Sequence, residues 1–497
     1  MSESFDLRRH ALAAPQRRAI VCGTESLTYG ALEALANRIA AVLRGRGLQR
    51  GEHIAMHLGN RPEALAIGWA AWRTGLYLTP LPTTASADEL RYLADDCDAK
   101  LVFVNGNGAA PQWLPSSVPA LSLTPALLAG ASPHPVEDEP PGALMMYTSG
   151  TTGAPKGVLR PLLPAEWRGT PPFAADLIDL FGIGGSEVRY LSTAPLYHAA
   201  PLRTALAVTA GGGTVFVMDD FDANAALRLL EVEAITHSQW VPSMFQRLLA
   251  LPAERRAGFR APAHRSAIHG AAPCPVPLKR AMIDWWGPIL LEYYSGSEGI
   301  GLTLIDAQEA LQHPGSVGRA RKGRLHIVDE SGHELPSGRT GLVCFSGVSP
   351  FAYYKAPEKT AKRTTPQGWQ TFGDVGHVDA DGYLFLTDRL DDMIISGGVN
   401  IYPQEIETVL RDAPGVWDCA VVGMPDERFG ERPVAFVVAA HNAACNATLS
   451  IDALRAFCET RLGRTKQPAA FHLIDALPRS ATGKLLRREL RSKVEPT

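Results

Sequence analysis

The chain has 497 residues, 46% hydrophobic and 20% charged, which suits one large domain with a smaller companion and a sizeable buried core. A formal net charge of −3 leaves no electrostatic footprint for nucleic acid or an anionic membrane surface. Seven scattered cysteines without a C-x-x-C spacing read as reduced thiols, which excludes a disulfide framework or a zinc site.

The N-terminus, Met1–His10, carries no apolar signal-peptide core, and the run Leu65–Trp72 stops at Arg73, short of a membrane span. A soluble cytoplasmic protein is the expectation. Thr28 stands before a helical stripe of Leu32, Leu35, Ile39 and Leu43 that closes at Gly45 and Gly47. A strand is predicted over Ile54–His57 and a helix over 61–74. The pair Ser86 and Glu89 has capping-box spacing and opens another helix, followed by a buried strand at Leu101–Val104. Residues 105–141 hold eight prolines and an acidic patch and read as a meandering surface connection. The apolar run Gly142–Tyr147 suits a buried strand. Further strands are predicted over Arg189–Thr193 and Thr214–Met218, with helices over Asp222–Glu231 and Pro242–Leu251. Helices alternating with strands predict an α/β domain with mostly parallel sheets.

Past residue 390 the character changes. Pro403 starts a helix to Arg411, strands follow at Asp418–Gly423 and Pro433–Val438, and Ser450 caps a helix to Leu462. This is a compact α+β unit of about 105 residues, large enough to fold alone. The expected division is residues 1–389 and 390–497, the second a small mobile α+β domain.

Chemistry concentrates first in Tyr147–Gly157, which packs glycines, hydroxyls and one lysine into eleven residues. Gly150 and Gly153 permit close backbone approach, so successive N–H groups can form a nest for anionic oxygens. Thr148, Ser149, Thr151 and Thr152 add hydroxyl donors, and Lys156 adds a point charge. The spacing is not that of a Walker A loop, G-x-x-x-x-G-K-[ST]. The segments Pro195–His198, Ile268–Pro273, Tyr293–Glu298, Gly373–Asp374 with Asp388–Arg389, Ser396–Pro403 and Pro478–Arg487 complete the set. Taken alone, they read more often as an ordinary turn, a structural histidine or a solvated basic helix start.

Together, and in this order, they resemble the adenylate-forming superfamily of acyl-CoA synthetases, aryl-CoA ligases, luciferases and adenylation domains, most nearly the bacterial acyl-CoA synthetases. The resemblance implies roles. Thr148, Ser149, Gly150, Thr151, Thr152, Gly153 and Lys156 hold phosphates. Gly270, Ala271, Tyr293 and Tyr294 hold adenine, and Asp374 and Arg389 hold ribose. Ser297 meets the α-phosphate, Glu298 binds magnesium, and His198 borders the reacting carboxylate. Lys484 bridges carboxylate and α-phosphate, Asp391 is the hinge, and Gly397 and Gly398 line the acceptor tunnel. Ser295 stands where the family has glycine, Ser297 where it has threonine, and Asp388 where it has glycine.

The implied reaction is ATP-dependent activation of a carboxylic acid as its adenylate, with Mg²⁺, then transfer to coenzyme A. Pro195–His198 contains no acidic residue to pair an ammonium, so an amino acid is a poor substrate. Small residues at Ala199, Ala200, Ala271, Ala272 and Gly296, without an evident cation nearby, point to an apolar monocarboxylate, aliphatic or aromatic. Many relatives carry K-x-P-K where this chain has Lys466-Gln-Pro-Ala469. The lost charge keeps a second acceptor open, an amine or a carrier protein. A nucleotide-binding regulator without catalysis is a third reading, against which Lys484 and Glu298 both stand. Partners expected are ATP, the acid, and coenzyme A or an amine, without nucleic acid or a membrane span. A homodimer is compatible with the sequence, which does not decide oligomeric state.

Overall fold

The computed structural model describes residues 6–106, 109–148, 154–167, 169–397, 399–440, 449–479 and 485–492; the side chains of Asp391 and Asn400 lie outside that description. Of the expected site residues, Ser149, Gly150, Thr151, Thr152, Gly153, Gly398 and Lys484 lie outside the described residues.

Local chemistry sets most elements where the sequence places them. The Thr28 hydroxyl accepts from the Ala31 N–H at 3.2 Å and starts the helix Tyr29–Gly45, which buries Leu32, Ile39 and Leu43 on one face. Ser86 and Glu89 form the reciprocal capping box of the helix Ala87–Asp96, with bonds of 3.2 and 2.9 Å. Ser450 caps the helix Ile451–Glu459, which ends short of the expected Leu462. The run Gly142–Tyr147 is not one strand. Ala143–Leu144 pairs parallel with Tyr77–Leu78, while Met146–Thr148 turns to pair antiparallel with Lys156–Val158. An apolar run shows burial but not which sheet takes each half.

Among the described residues the largest sheet has nine strands. Its centre is parallel, in the spatial order Leu290–Tyr294, Ser266–His269, His237–Trp240, Arg189–Ser192, Thr214–Val217 and Arg18–Cys22. Antiparallel strands finish both edges. A second, five-stranded parallel sheet contains Ala99–Val104, His53–His57 and Tyr77–Pro80. One continuous apolar core joins the two sheets through the helices Tyr29–Gly45, Glu63–Arg73 and Ala199–Gly211. Helices between parallel sheets are the α/β solution to burying both strand faces.

Residues from Ile394 onward form their own sheet, built on the long hairpin Val416–Asp426 and Gly430–Ala439, and their own apolar clusters. Arg487, on the last described helix, donates to the Glu407 carboxylate at 2.5 Å and lies 3.4 Å from Asp392. Glu407 is 3% exposed and also accepts from the Val421 N–H at 2.9 Å, so this buried cluster fixes the C-terminal helix to the sheet.

Candidate active site

In open parallel sheets, ligands gather beyond the carboxyl ends of the strands. The order of the nine-stranded sheet brings four such ends side by side. Pro195–His198, Val241–Pro242, Gly270–Ala271 and Ser295–Glu298 therefore emerge along one edge, although they are far apart in sequence. A Cβ at Gly270 would come within 2.7 Å of the Tyr293 carbonyl oxygen, so only glycine lets these two strand ends approach. Ala271 holds φ at 68°, a left-handed conformation that costs a residue with Cβ roughly 1 kcal/mol or more. Such strain collects at ligand-binding turns.

Tyr294, Asp374 and Arg389 meet at one point. The Tyr294 hydroxyl donates to the Asp374 carboxylate at 2.6 Å, and Arg389 Nε lies 3.1 Å from its other oxygen. Burial, and then the Asp374 charge, raise the Tyr294 hydroxyl well above the usual phenol range, so it stays a donor. Asp374 raises the Arg389 guanidinium further against burial. The arrangement follows from a local hairpin, since Asp374 and Arg389 are register partners across it. A carboxylate fixed by two donors and 5% exposed keeps lone pairs for the paired hydroxyls of a sugar.

A second cluster adjoins it. Glu298 lies within electrostatic reach of both Tyr294 and Arg389. Its Oε1 accepts from the Tyr353 hydroxyl at 2.7 Å, and the Lys156 ammonium sits over the Tyr353 ring at 5.1 Å from its centre. Thr148 lies opposite Lys156 in strand register. The Glu298 Oε2 lies over Gly296, where a Cβ would come within 2.7 Å of it. One oriented carboxylate with an oxygen to spare fits the usual protein share of a Mg²⁺ site, in which phosphates and waters supply the remaining ligands.

His198 caps the helix Ala199–Gly211 without a side-chain bond, and its Nε2 is buried without a partner. Burial pushes the imidazole down to about 4, so it is neutral at physiological pH. Gly397 holds φ at +57°, and its N–H donates to the Phe429 carbonyl at 2.8 Å.

Sequence reasoning missed three residues. Tyr353 orients Glu298. Arg160 donates to the Glu298 carbonyl at 2.5 Å, and Arg203 reaches the Ser297 carbonyl at 3.5 Å. Arg203 did leave a signal, because it is the only charge in an otherwise apolar helical stretch, Ala199–Gly211.

The role of Asp388 becomes visible here. Its carboxylate accepts from the Arg389 N–H at 2.7 Å and from the Gln404 N–H at 2.8 Å, so it caps the helix Pro403–Arg411 from the preceding strand. Burial raises its pKa from 3.8 to about 6. The native state therefore binds this proton more tightly than the unfolded chain and loses relative stability as pH rises through that window. Asp388→Asn removes that cost, so its Tm relative to the parent protein increases between about pH 4.5 and about pH 7.5 in thermal unfolding. A difference that stays flat or falls refutes the account.

A nucleotide-shaped set of contacts at the carboxyl edge of a doubly wound sheet, next to a lysine and a metal-competent carboxylate, defines an ATP-using enzyme. The chain belongs to the AMP-binding enzyme family: residues 7–355 match the AMP-binding enzyme model, and residues 405–484 its C-terminal domain. It is 31% identical to the long-chain-fatty-acid–CoA ligase FadD13 of Mycobacterium tuberculosis strain H37Rv, over 99% of this chain and 98% of that one. Among solved structures it is similar to the o-succinylbenzoate coenzyme A synthetase MenE of Bacillus subtilis in complex with ATP and magnesium ion, with TM-score 0.82, 26% identity and 98% of both chains covered. The amide bond synthetase McbA of Marinactinospora thermotolerans is similar too, with TM-score 0.82, 26% identity, and 98% of this chain and 99% of that one covered. The class is that of the AMP-forming acid–thiol ligases, which use ATP, coenzyme A and Mg²⁺. No described helix is long and apolar enough to cross a membrane.

Proposed function

We propose that this protein activates a carboxylic acid as its acyl-adenylate and passes the acyl group to coenzyme A. In the first half-reaction a carboxylate oxygen attacks the α-phosphorus of ATP, the bond to pyrophosphate breaks, and the acyl-adenylate forms. In the second the thiolate of coenzyme A attacks the acyl carbonyl and AMP leaves. Phosphoryl displacement asks little covalent chemistry of the protein, so positioning and charge neutralisation are its contribution.

Asp374, held by Tyr294 and Arg389, takes the ribose hydroxyls. The Tyr294 ring supports adenine while Gly270, Ala271 and Tyr293 bound it. Ser297, Thr148, Lys156 and the residues Ser149 to Gly153 meet the phosphates, and Lys484 neutralises charge where carboxylate and α-phosphate join. Glu298 would hold Mg²⁺, which supplies positive charge to the phosphate oxygens when bound. Neutral His198 borders the carboxylate as a hydrogen-bonding wall. Residues 1–389 and 390–497 are two bodies that reorient at Asp391, withdrawing Lys484 and presenting Gly397 and Gly398 to the acceptor. The cytoplasm is the compartment that suits the free thiols Cys22, Cys97, Cys274, Cys344, Cys419 and Cys458.

The observation that carries this reading is the Asp374 carboxylate held by Tyr294 and Arg389, two groups that both lie within electrostatic reach of Glu298. Lys466 favours a second reading. It is paired with Glu405, and the Gln467 amide bonds the Leu462 carbonyl, so Lys466 is not a free cation for the phosphates of coenzyme A. An amine would need none. The test is one acid that releases pyrophosphate from ATP, run with coenzyme A, with simple amines and with neither. Thioester formed only with coenzyme A is the expected result. Amide formed while coenzyme A is ignored replaces the acceptor.

A further inference from the structure

The turn that would bound adenine, residues 270–275, is strained at Ala271 and joins the strand Ser266–His269 to the helix Val276–Trp286. Strain of that kind persists only where the surroundings over-determine the backbone. Both ends of this turn are fastened to one neighbouring strand, Leu290–Tyr294. At the near end Gly270 lies so close to the Tyr293 carbonyl that no Cβ fits. At the far end Lys279, the fourth residue of the helix, makes an ion pair with Glu292. The two fastenings fall on consecutive residues, immediately before Tyr294.

The pair is unfavourable to bury. Lys279 is 5% exposed and Glu292 4%, and two charges so far from water gain little over apolar side chains of the same size. His269, the register partner of Glu292 on the same face of the sheet, and Cys274 lie within electrostatic reach of the pair, and burial holds both neutral. An apolar contact would remove the same area from water without fixing a direction. An ion pair fixes where the start of the helix sits over the strand. The Lys279 ammonium also faces the Ser316 carbonyl at 3.5 Å, and the Ser316 hydroxyl donates to the Leu384 carbonyl at 2.8 Å. Leu384 begins the strand that ends at Arg389, so one buried cation touches both the adenine turn and the loop bonded to the ribose hairpin.

We propose that Lys279 and Glu292 are positioning residues for the nucleotide: their buried pair sets the spacing between the turn 270–275 and Tyr294, the two walls of the adenine slot. Neither touches the nucleotide itself. The inference rests on the adenylating reading above for its ligand and concerns residues that reading leaves unused.

The first readout is ATP binding by isothermal titration calorimetry. Lys279→Met combined with Glu292→Leu removes both charges at nearly constant volume, a change that folds commonly tolerate. The Kd of this double variant for ATP rises about 10- to 100-fold, in line with what roughly 1 Å of misplacement costs a preorganised site. Calorimetry reports site number and affinity separately, so misfolded molecules lower the first and not the second. In ATP–pyrophosphate exchange the same variant raises the KM for ATP and leaves the KM for the acid unchanged, a split that general loosening of the fold would not give. ATP affinity equal to that of the parent protein makes the pair purely structural and overturns the inference, as does an equal rise in both KM values. A parent protein that binds ATP but exchanges no pyrophosphate with any aliphatic or aromatic acid supplied sinks the adenylating reading alone. A parent protein that binds no ATP sinks both.

Discussion

Asp374→Ala lowers ATP-dependent adenylation by about two to four orders of magnitude in kcat/KM. Its carboxylate takes two ribose hydroxyls in the proposed complex, and hydrogen bonds to a charged acceptor are worth about 1.5–3 kcal/mol each. Two of them make about 3–6 kcal/mol, at roughly 1.4 kcal/mol for each factor of ten. The loss is larger than removing a solvated acid would give, because Tyr294 and Arg389 also lose their shared partner in a site 5% exposed at Asp374. Pyrophosphate exchange at varied ATP is the measurement, with the rise concentrated in the ATP term. Activity within a few-fold of the parent protein would remove Asp374 from the nucleotide site and take the assignment of Arg389 with it.

Lys484→Ala separates the two half-reactions. Removing one charge placed on a developing oxyanion costs about 10²- to 10³-fold. That cost falls on adenylation, whereas attack of coenzyme A on a supplied acyl-adenylate does not use Lys484 and stays within a few-fold of the parent rate. Stopped-flow thioester formation from synthetic acyl-adenylate, set beside pyrophosphate exchange, reads both arms. Equal losses in the two arms would mean that Lys484 supports the fold or remains at the site throughout, and the proposed exchange at Asp391 would fall. Arg487 anchors the helix Arg487–Arg491 to Glu407 and Asp392.

Much of this was legible residue by residue, because the signals are local. Thr28, Ser86 with Glu89, and Ser450 start helices by bonding backbone N–H groups within the next turn. Asp374 and Arg389 meet because the turn between them sets strand register, and register is a short-range property. The alternation of helix and strand along the first 390 residues implied parallel sheets for the same reason. Crossover connections need that much chain.

The sequence by itself thus determined the family and the reaction class, since each motif that carries the resemblance is a run of residues only a few positions long. Tertiary structure alone decided which strangers meet. Tyr353 reaches Glu298 across 55 positions, Arg203 reaches Ser297 across 94 and Arg160 reaches Glu298 across 138. No period or motif encodes those distances. They follow from sheet order and from the packing of the helix Ala199–Gly211 against its neighbours, which brings an arginine from an apolar stretch to the Ser297 carbonyl. Asp388 likewise gains its meaning only when the helix Pro403–Arg411 is brought onto it. Electrostatics depends on separation in space, and space is set by the fold.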